Sequence, residues 1–118
     1  MIHHSGDIDM STFDLFDSIG KETKITASLL PIGGMLPVWY YRKRQQHLDK
    51  GVHIDPDTAL DIASRLRCQT FIPIHWGTLH LPYLTRFSPA KRLLQIAKQK
   101  EQDGLVKVLN HAEIWDID

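Results

Sequence analysis

The residues of this chain that could do chemistry are concentrated in four short strings. Three of the strings carry a carboxylate or an imidazole, groups that bind metal ions or transfer protons, and all four contain a residue that turns the backbone. The strings are Ser5-Gly6-Asp7, Pro31-Ile32-Gly33-Gly34, His53-Ile54-Asp55-Pro56 and Ile74-His75-Trp76-Gly77-Thr78. The sequence between them has to supply the elements that bring them together.

Each polar residue in these strings also has an ordinary structural role. His75 directly follows an apolar run, where a neutral imidazole can ligate a metal or act as a general base, or can simply donate to a backbone carbonyl. Asp7 can bridge metal ions or cap backbone N–H groups. His53 precedes a helix start whose N–H groups favour an anion, or it is a solvated loop residue. Taken one at a time, the residues leave these alternatives open.

Hydrophobic periodicity predicts helices and strands in alternation around the four strings. The predicted helices are 11–19, 55–67 and a third from 88 to a stop at Gly104, and the predicted strands are 25–30, 71–74, 105–109, 113–117 and one ending near Asp7. Alternating strands and helices indicate an α/β architecture, in which functional residues lie on loops beyond the strand ends. Residues 35–52 form a long irregular segment.

The composition of the chain limits the classes of function that it can have. The chain has 118 residues, 14 basic and 14 acidic side chains and no formal net charge at pH 7, so it is a single domain or part of one, with no electrostatic reason to bind nucleic acid. Its one cysteine, Cys68, excludes an internal disulfide and a cysteine-rich zinc module. Export signals and apolar runs of membrane-spanning length are absent from the sequence, so we expect a cytoplasmic protein.

In this order, the strings resemble the C-terminal half of a metallo-β-lactamase-fold hydrolase. The Pro31-Ile32-Gly33 and Ile74-His75-Trp76-Gly77-Thr78 strings are the most specific, and the similarity is to the N-acyl-phosphatidylethanolamine-hydrolysing phospholipase D group and its bacterial, lactonase-type relatives. The resemblance implies an αββα sandwich and two zinc ions. It implies Asp7 and His75 as metal ligands and His53 as a catalytic residue lining the substrate pocket.

The chain also departs from the pattern of that family. The His-x-His-x-Asp-His signature is absent, which leaves at most two of the seven usual ligands, and Ile8 stands where a threonine usually follows the aspartate. The loop between Gly33 and His53 is longer than usual and contains Gln46-His47-Leu48-Asp49, so His47 is an alternative to His53. We therefore expect residues 1–118 to form the C-terminal portion of such a domain.

The resemblance implies a zinc-dependent hydrolase of a phosphodiester, ester or lactone, acting on a small molecule or lipid and inactive without the other half of the sandwich. The alternative is a non-catalytic remnant or binding module of the same fold. A half-sandwich is expected to pair with the missing N-terminal half or with itself. Trp39-Tyr40-Tyr41 followed by Arg42-Lys43-Arg44 suits a membrane surface, although short aromatic–basic loops are more often simply packed and solvated.

Overall fold

A three-stranded parallel sheet and three helices form the scaffold in a computed structural model of the chain. The structure describes residues 1–6, 13–34, 54–77, 87–110 and 112–117. The strands are β1 (Ile2–His4), β2 (Ala27–Pro31) and β3 (Thr70–Ile74), and the helices are α1 (Phe13–Glu22), α2 (Pro56–Leu66) and α3 (Ser88–Gln99). The predicted α/β class is confirmed.

Strand β2 is the centre of the sheet and pairs in parallel with β1 and β3. The register places Ile2 opposite Ala27, and Leu29 lies between His4 and Ile72. All three strands run in the same direction, so their carboxyl ends lie along one edge of the sheet. The strands predicted to end near Asp7, Leu30 and Ile74 therefore belong to one sheet.

Helix α2 links the sheet to the other helices, since it packs on β2 and has α1 on one side and α3 on the other. Its start was predicted from Asp55-Pro56, and the Asp55 carboxylate accepts a hydrogen bond of 2.7 Å from the Thr58 backbone N–H. This N-cap satisfies a donor that the first helical turn leaves unpaired. The apolar stripe of α2 is completely buried; it comprises Ala59, Leu60, Ile62, Ala63 and Leu66.

Helix α1 does not end where the sequence predicted. The predicted span was 11–19 with Gly20 as the stop, but α1 continues through Gly20 to Glu22. Gly20 is buried, and a Cβ there would lie against the Arg65 carbonyl oxygen and 2.9 Å from Leu66 Cα. The glycine therefore serves close packing between two helices rather than helix termination.

The C-terminal part also differs from the prediction. Helix α3 ends at Gln99, before the predicted stop at Gly104. The predicted strand 105–109 is reduced to one parallel bridge between Val106 and Phe71, on the side of β3 away from β2. Residues 113–117 do not form a strand. Alternating hydrophobicity in the first of these segments reflects packing against the core, where Leu105, Val106 and Val108 are partly buried, whereas Ile114 and Ile117 of the second are exposed.

The sheet is apolar on both faces. The His3 ring contacts Phe16 of α1 edge to face, at 6.3 Å between centroids, so His3 and its register neighbour Ser28 lie on the helical side. The opposite face then carries five aliphatic side chains and Pro31, with the polar His4 and Thr70; the aliphatic ones are Ile2, Ala27, Leu29, Ile72 and Ile74. Of these five, Ile2 is 58% exposed, Leu29 and Ile74 are half-buried, and Ala27 and Ile72 are buried. Apolar side chains on both faces are typical of parallel sheets that are covered by a layer on each side.

One buried polar pair joins β1 to β2. Ser28 is completely buried, and its hydroxyl shares a hydrogen bond of 2.8 Å with Nδ1 of the half-buried His3. Burial, and secondarily the charge of the neighbouring His4, lower the pKa of His3 below its ordinary value of 6.5. The neutral imidazole is thus the form that suits this position.

We expect Gly20→Ala to destabilise the fold. The new methyl group would push α1 away from α2, and overpacking of this kind costs about 1–3 kcal/mol, opposed by the better helix propensity of alanine, about 1 kcal/mol. Gly104→Ala is the matched control, because a Cβ at Gly104 meets nothing within 4 Å. Denaturant unfolding of both variants measures the difference, and equal stabilities would contradict the close approach at Gly20.

We also expect stability to fall in mild acid through His3. Because folding lowers the His3 pKa, the unfolded chain binds the proton more readily. The stabilisation is complete above the unfolded pKa of about 6.5 and is lost as the pH falls through the lowered pKa. Thermal unfolding at several pH values should show a smaller acid loss in His3→Gln than in the wild type. His4→Gln is the control and should keep most of that loss; identical profiles for the three proteins would exclude His3 as the titrating group.

Candidate functional site

The first predicted string is fixed to the carboxyl edge of the sheet. The backbone N–H and the hydroxyl of Ser5 both donate to the Leu29 carbonyl of β2, at 3.2 Å each. Gly6 adopts a φ of 66°, a left-handed conformation that favours glycine, and its N–H donates to His4 Nδ1 at 3.0 Å. The chain therefore turns at Gly6 directly beyond the end of β1.

Backbone hydrogen bonds join the other three strings at the same edge. The Ile32 N–H donates to the Ile74 carbonyl at 3.0 Å, which extends the β2–β3 pairing by one step. The Gly34 N–H then donates to the Ile54 carbonyl at 2.9 Å. Ile54 is almost completely buried and directly precedes the Asp55 cap of α2. Segments far apart in the sequence thus meet at this edge.

His75 lies at the centre of this arrangement and has an unusual backbone conformation. Its φ is 57°, in the left-handed region that few residues other than glycine adopt. Gly77 follows with a φ of 77°, and the Trp76 indole Nε1–H donates to the Pro73 carbonyl at 3.1 Å, which closes the turn. Strained residues of this kind cluster at functional sites. The turn leaves the His75 side chain exposed at the sheet edge.

Gly33 allows this turn to approach β2. A Cβ on Gly33 would collide with the His75 carbonyl oxygen and lie 3.8 Å from His75 Cβ. Only glycine fits between the two backbones without a shift of one of them. The glycine of the Pro31-Ile32-Gly33 string is therefore needed to place His75 of the last string, a relation that sequence reasoning did not predict.

An open cleft beside His75 includes residues that sequence reasoning missed. Its walls are Ile74, His75, Trp76, Leu109 and Asn110. The Val106 bridge directs the chain along β3, which brings Leu109 and Asn110 level with the strand end. The Asn110 N–H donates to the Glu113 carboxylate at 2.8 Å, which holds the turn at this position. The alternating pattern of residues 105–109 was the available signal, but it was interpreted only as a strand.

His75 is the one predicted site residue that the structure describes. Asp7, His53 and the alternative His47 lie outside the described residues; Gly6, which precedes Asp7, and Ile54, which follows His53, are at the sheet edge. Within the described ranges, no three histidine, cysteine, aspartate or glutamate side chains are grouped so as to hold a metal ion. A catalytic zinc site uses three protein ligands. The described part of the chain therefore does not by itself make up a zinc site.

The single thiol does not belong to this site. Cys68 is buried, its Sγ lies 3.6 Å from the Ala63 carbonyl oxygen, and burial raises the pKa of the thiol to about 11. Because the thiolate is the nucleophile in cysteine chemistry, Cys68 is inert near neutral pH. The predicted packing role of Cys68 is consistent with this position.

Two curated proteins resemble the chain over most of its length. It is 27% identical over 106 residues to the N-acyl-phosphatidylethanolamine-hydrolyzing phospholipase D 1 of Caenorhabditis elegans, covering 86% of this chain and 27% of that protein. It is 29% identical over 102 residues to the mitochondrial N-acyl-phosphatidylethanolamine-hydrolyzing phospholipase D of Saccharomyces cerevisiae, covering 83% of this chain and 19% of that protein. The chain thus spans about a quarter or less of the length of these relatives.

No family model matches the chain. The two similarities give weak support to the resemblance that the motifs indicate, and they establish neither an activity nor a metal. None of the helices in the described ranges is long and apolar enough to cross a membrane.

We expect Gly33→Ala to disturb the His75 turn. The added methyl group must displace either the Gly33 backbone or the His75 carbonyl, at a cost of about 1–3 kcal/mol. The chemical shifts of the His75 imidazole, followed by NMR, should change in this variant. Gly104→Ala again serves as the control and should leave the His75 signals in place. An unchanged His75 spectrum and stability in Gly33→Ala would contradict the contact between the two backbones.

Proposed function

We propose that this chain is the C-terminal portion of a metallo-β-lactamase-fold hydrolase that uses zinc and acts on a phosphodiester, ester or lactone. The observation that carries the proposal is the meeting of four separate strings at the carboxyl edge of one parallel sheet. Backbone hydrogen bonds between Ile32 and Ile74 and between Gly34 and Ile54 join three of them, and Ser5 ties the fourth to β2. In α/β proteins this edge is where ligands bind.

The distant similarity to two N-acyl-phosphatidylethanolamine-hydrolyzing phospholipases D favours a phosphodiester substrate of lipid type. In this proposal Asp7 and His75 are metal ligands, and His53, or alternatively His47, faces the substrate. Zinc would supply a hydroxide near neutral pH and stabilise the developing oxyanion. The cleft bounded by Trp76, Leu109 and Asn110 would contribute to the pocket next to His75.

The apolar second face of the sheet supports the half-sandwich architecture. Ile2, Leu29 and Ile74 lie on the face away from the helices, and Ile2 is largely exposed. In an αββα sandwich that face packs against the sheet of the other half. We propose that the N-terminal half of such a hydrolase, or a second copy of this chain, covers it. A non-catalytic remnant with the same fold is the alternative.

We expect the chain alone to bind zinc weakly and to lack hydrolase activity. Asp7 and His75 are two of the three protein ligands that a catalytic zinc site uses, so dialysis should remove the metal. Metal analysis of the dialysed protein, with phosphodiesterase and lactonase assays on the same sample, tests this. Tightly held zinc with turnover in the lone chain would show that other residues make the site.

A complementation experiment distinguishes the proposal that the chain is part of an enzyme from the alternative that it is a non-catalytic remnant. A polypeptide carrying the His-x-His-x-Asp-His half of a related hydrolase, added in trans, should restore both metal retention and turnover. Asp7→Ala and His75→Ala should each abolish the recovered activity, whereas His111→Ala, a histidine without a predicted role, should keep it. Association with the other half without recovery of metal or turnover would favour the remnant.

A further inference from the structure

Helix α3 exposes a stripe of side chains that adjoins its buried face. Phe87, Lys91, Leu94 and Lys98 follow one another at spacings of four, three and four residues, which places them on one side of a helix. We call these four residues the α3 outer face. All four are exposed, with Phe87 at 44% and Leu94 at 46%. The adjoining side packs Ala90, Leu93, Ile96 and Ala97 into the core.

The α3 outer face combines apolar and positively charged groups. Lys91 precedes Leu94 by three residues and Lys98 follows it by four, so two lysines flank the leucine. The sequence of α3 contains no aspartate or glutamate. The other cation of the helix, Arg92, points elsewhere, since its guanidinium binds the Asp57 carboxylate of α2 through bonds of 3.1 and 3.0 Å. Within the described ranges, neither Lys91 nor Lys98 has an ion-pair partner.

We propose that the α3 outer face docks on a lipid surface that carries anionic headgroups. Leu94 and Phe87 would enter the boundary between headgroups and acyl chains, while the lysine stems extend along them and the ammonium groups remain at the phosphates. An aliphatic side chain between two lysines is complementary to such a surface, because the leucine is apolar like the acyl chains and the lysines are opposite in charge to the headgroups. The proposal rests on this helix face and is independent of the hydrolase proposed above.

The size and charge of the face disfavour a protein partner. The exposed side of a helix of 12 residues is about 18 Å long and about 10 Å wide. Its area is about 200 Å², whereas a stable protein interface buries about 800 Å² on each partner. Two copies of the face placed together would bring lysines of the same charge into contact. A lipid surface needs neither a large area nor a complementary shape.

Helix α1 supplies a matched comparison. Leu15 is 54% exposed, slightly more than Leu94, but it has no lysine three or four residues away; its neighbours at those spacings in α1 are Ser18 and Ile19, and the acidic Glu22 lies two turns further along the same side. An anionic membrane would repel this surface. Leu15 and Leu94 are thus similar in exposure but differ in the charge of the residues around them. Substituting each leucine in turn therefore shows which helix face binds the vesicles.

The experiment is co-sedimentation of the full chain with vesicles of phosphatidylcholine alone or with about 30 mol% phosphatidylserine. We expect binding to the anionic vesicles and a sharp loss of it between about 0.05 and about 0.5 M salt. Each lysine near such a surface contributes about fivefold in partitioning, so Lys91→Gln with Lys98→Gln should weaken binding about 25-fold. Leu94→Ser should weaken it several-fold, and Leu15→Ser should leave it unchanged.

Several outcomes would overturn the proposal. One is that the chain fails to bind anionic vesicles at low salt, and another is that it binds neutral vesicles as well as anionic ones. A third is that Leu15→Ser weakens binding as much as Leu94→Ser does. The last is that binding is lost only when residues within Trp39–Arg44 are changed. Thermal unfolding of each variant verifies that it is folded, and all the substituted α3 residues are exposed. A defect in hydrolase complementation with vesicle binding intact would count against the hydrolase proposal and leave this one standing.

Discussion

The candidate site depends on the close approach of two backbones at the end of the sheet. Gly33 and the His75 carbonyl are so near that any side chain on residue 33 would separate them. The Ile32–Ile74 hydrogen bond of 3.0 Å holds the two segments in register up to that point. Because His75 adopts a left-handed conformation that costs free energy, the surrounding contacts have to maintain it. The position of the His75 backbone is thus set by the segment that follows β2.

The same principle of close approach acts in the helical layer. Gly20 lets α1 lie against the backbone of α2, and Arg65 bridges the two helices through a contact of 2.8 Å with Asp17. The partners of this ion pair are partly exposed, so it contributes little compared with the buried apolar stripe of α2. Asp55 fixes the start of that helix directly after Ile54, which is itself bound to Gly34. Packing of the helices and placement of the site strings are therefore connected through α2.

Much of this arrangement was predictable because the relevant signals are local. Asp55-Pro56 marks a capped helix start, and the apolar run at 71–74 marks a buried strand, so α2 and β3 appear within one residue of their predicted limits. The role of Gly20 was not predictable, since a glycine that ends a helix and one that admits a neighbouring helix look the same in sequence. The contact between Gly33 and His75 joins residues 42 positions apart, and the cleft at Asn110 depends on a single bridge at Val106. Such non-local relations leave no periodic pattern.

Under the proposed function, two apparently separate features have one origin. The sheet has a second face with Ile2, Leu29 and Ile74 on the side away from the helices, and in this proposal the strings would supply two metal ligands where a catalytic zinc site uses three. In an αββα sandwich the other half provides both the covering sheet and the remaining ligands. Association would therefore bury apolar surface and complete the metal site in the same step, so zinc would stabilise the association of the two halves as well as catalyse the reaction. The backbone contacts at Gly33, Gly34 and Ser5 already hold the strings of this chain at the carboxyl edge of the sheet before that step.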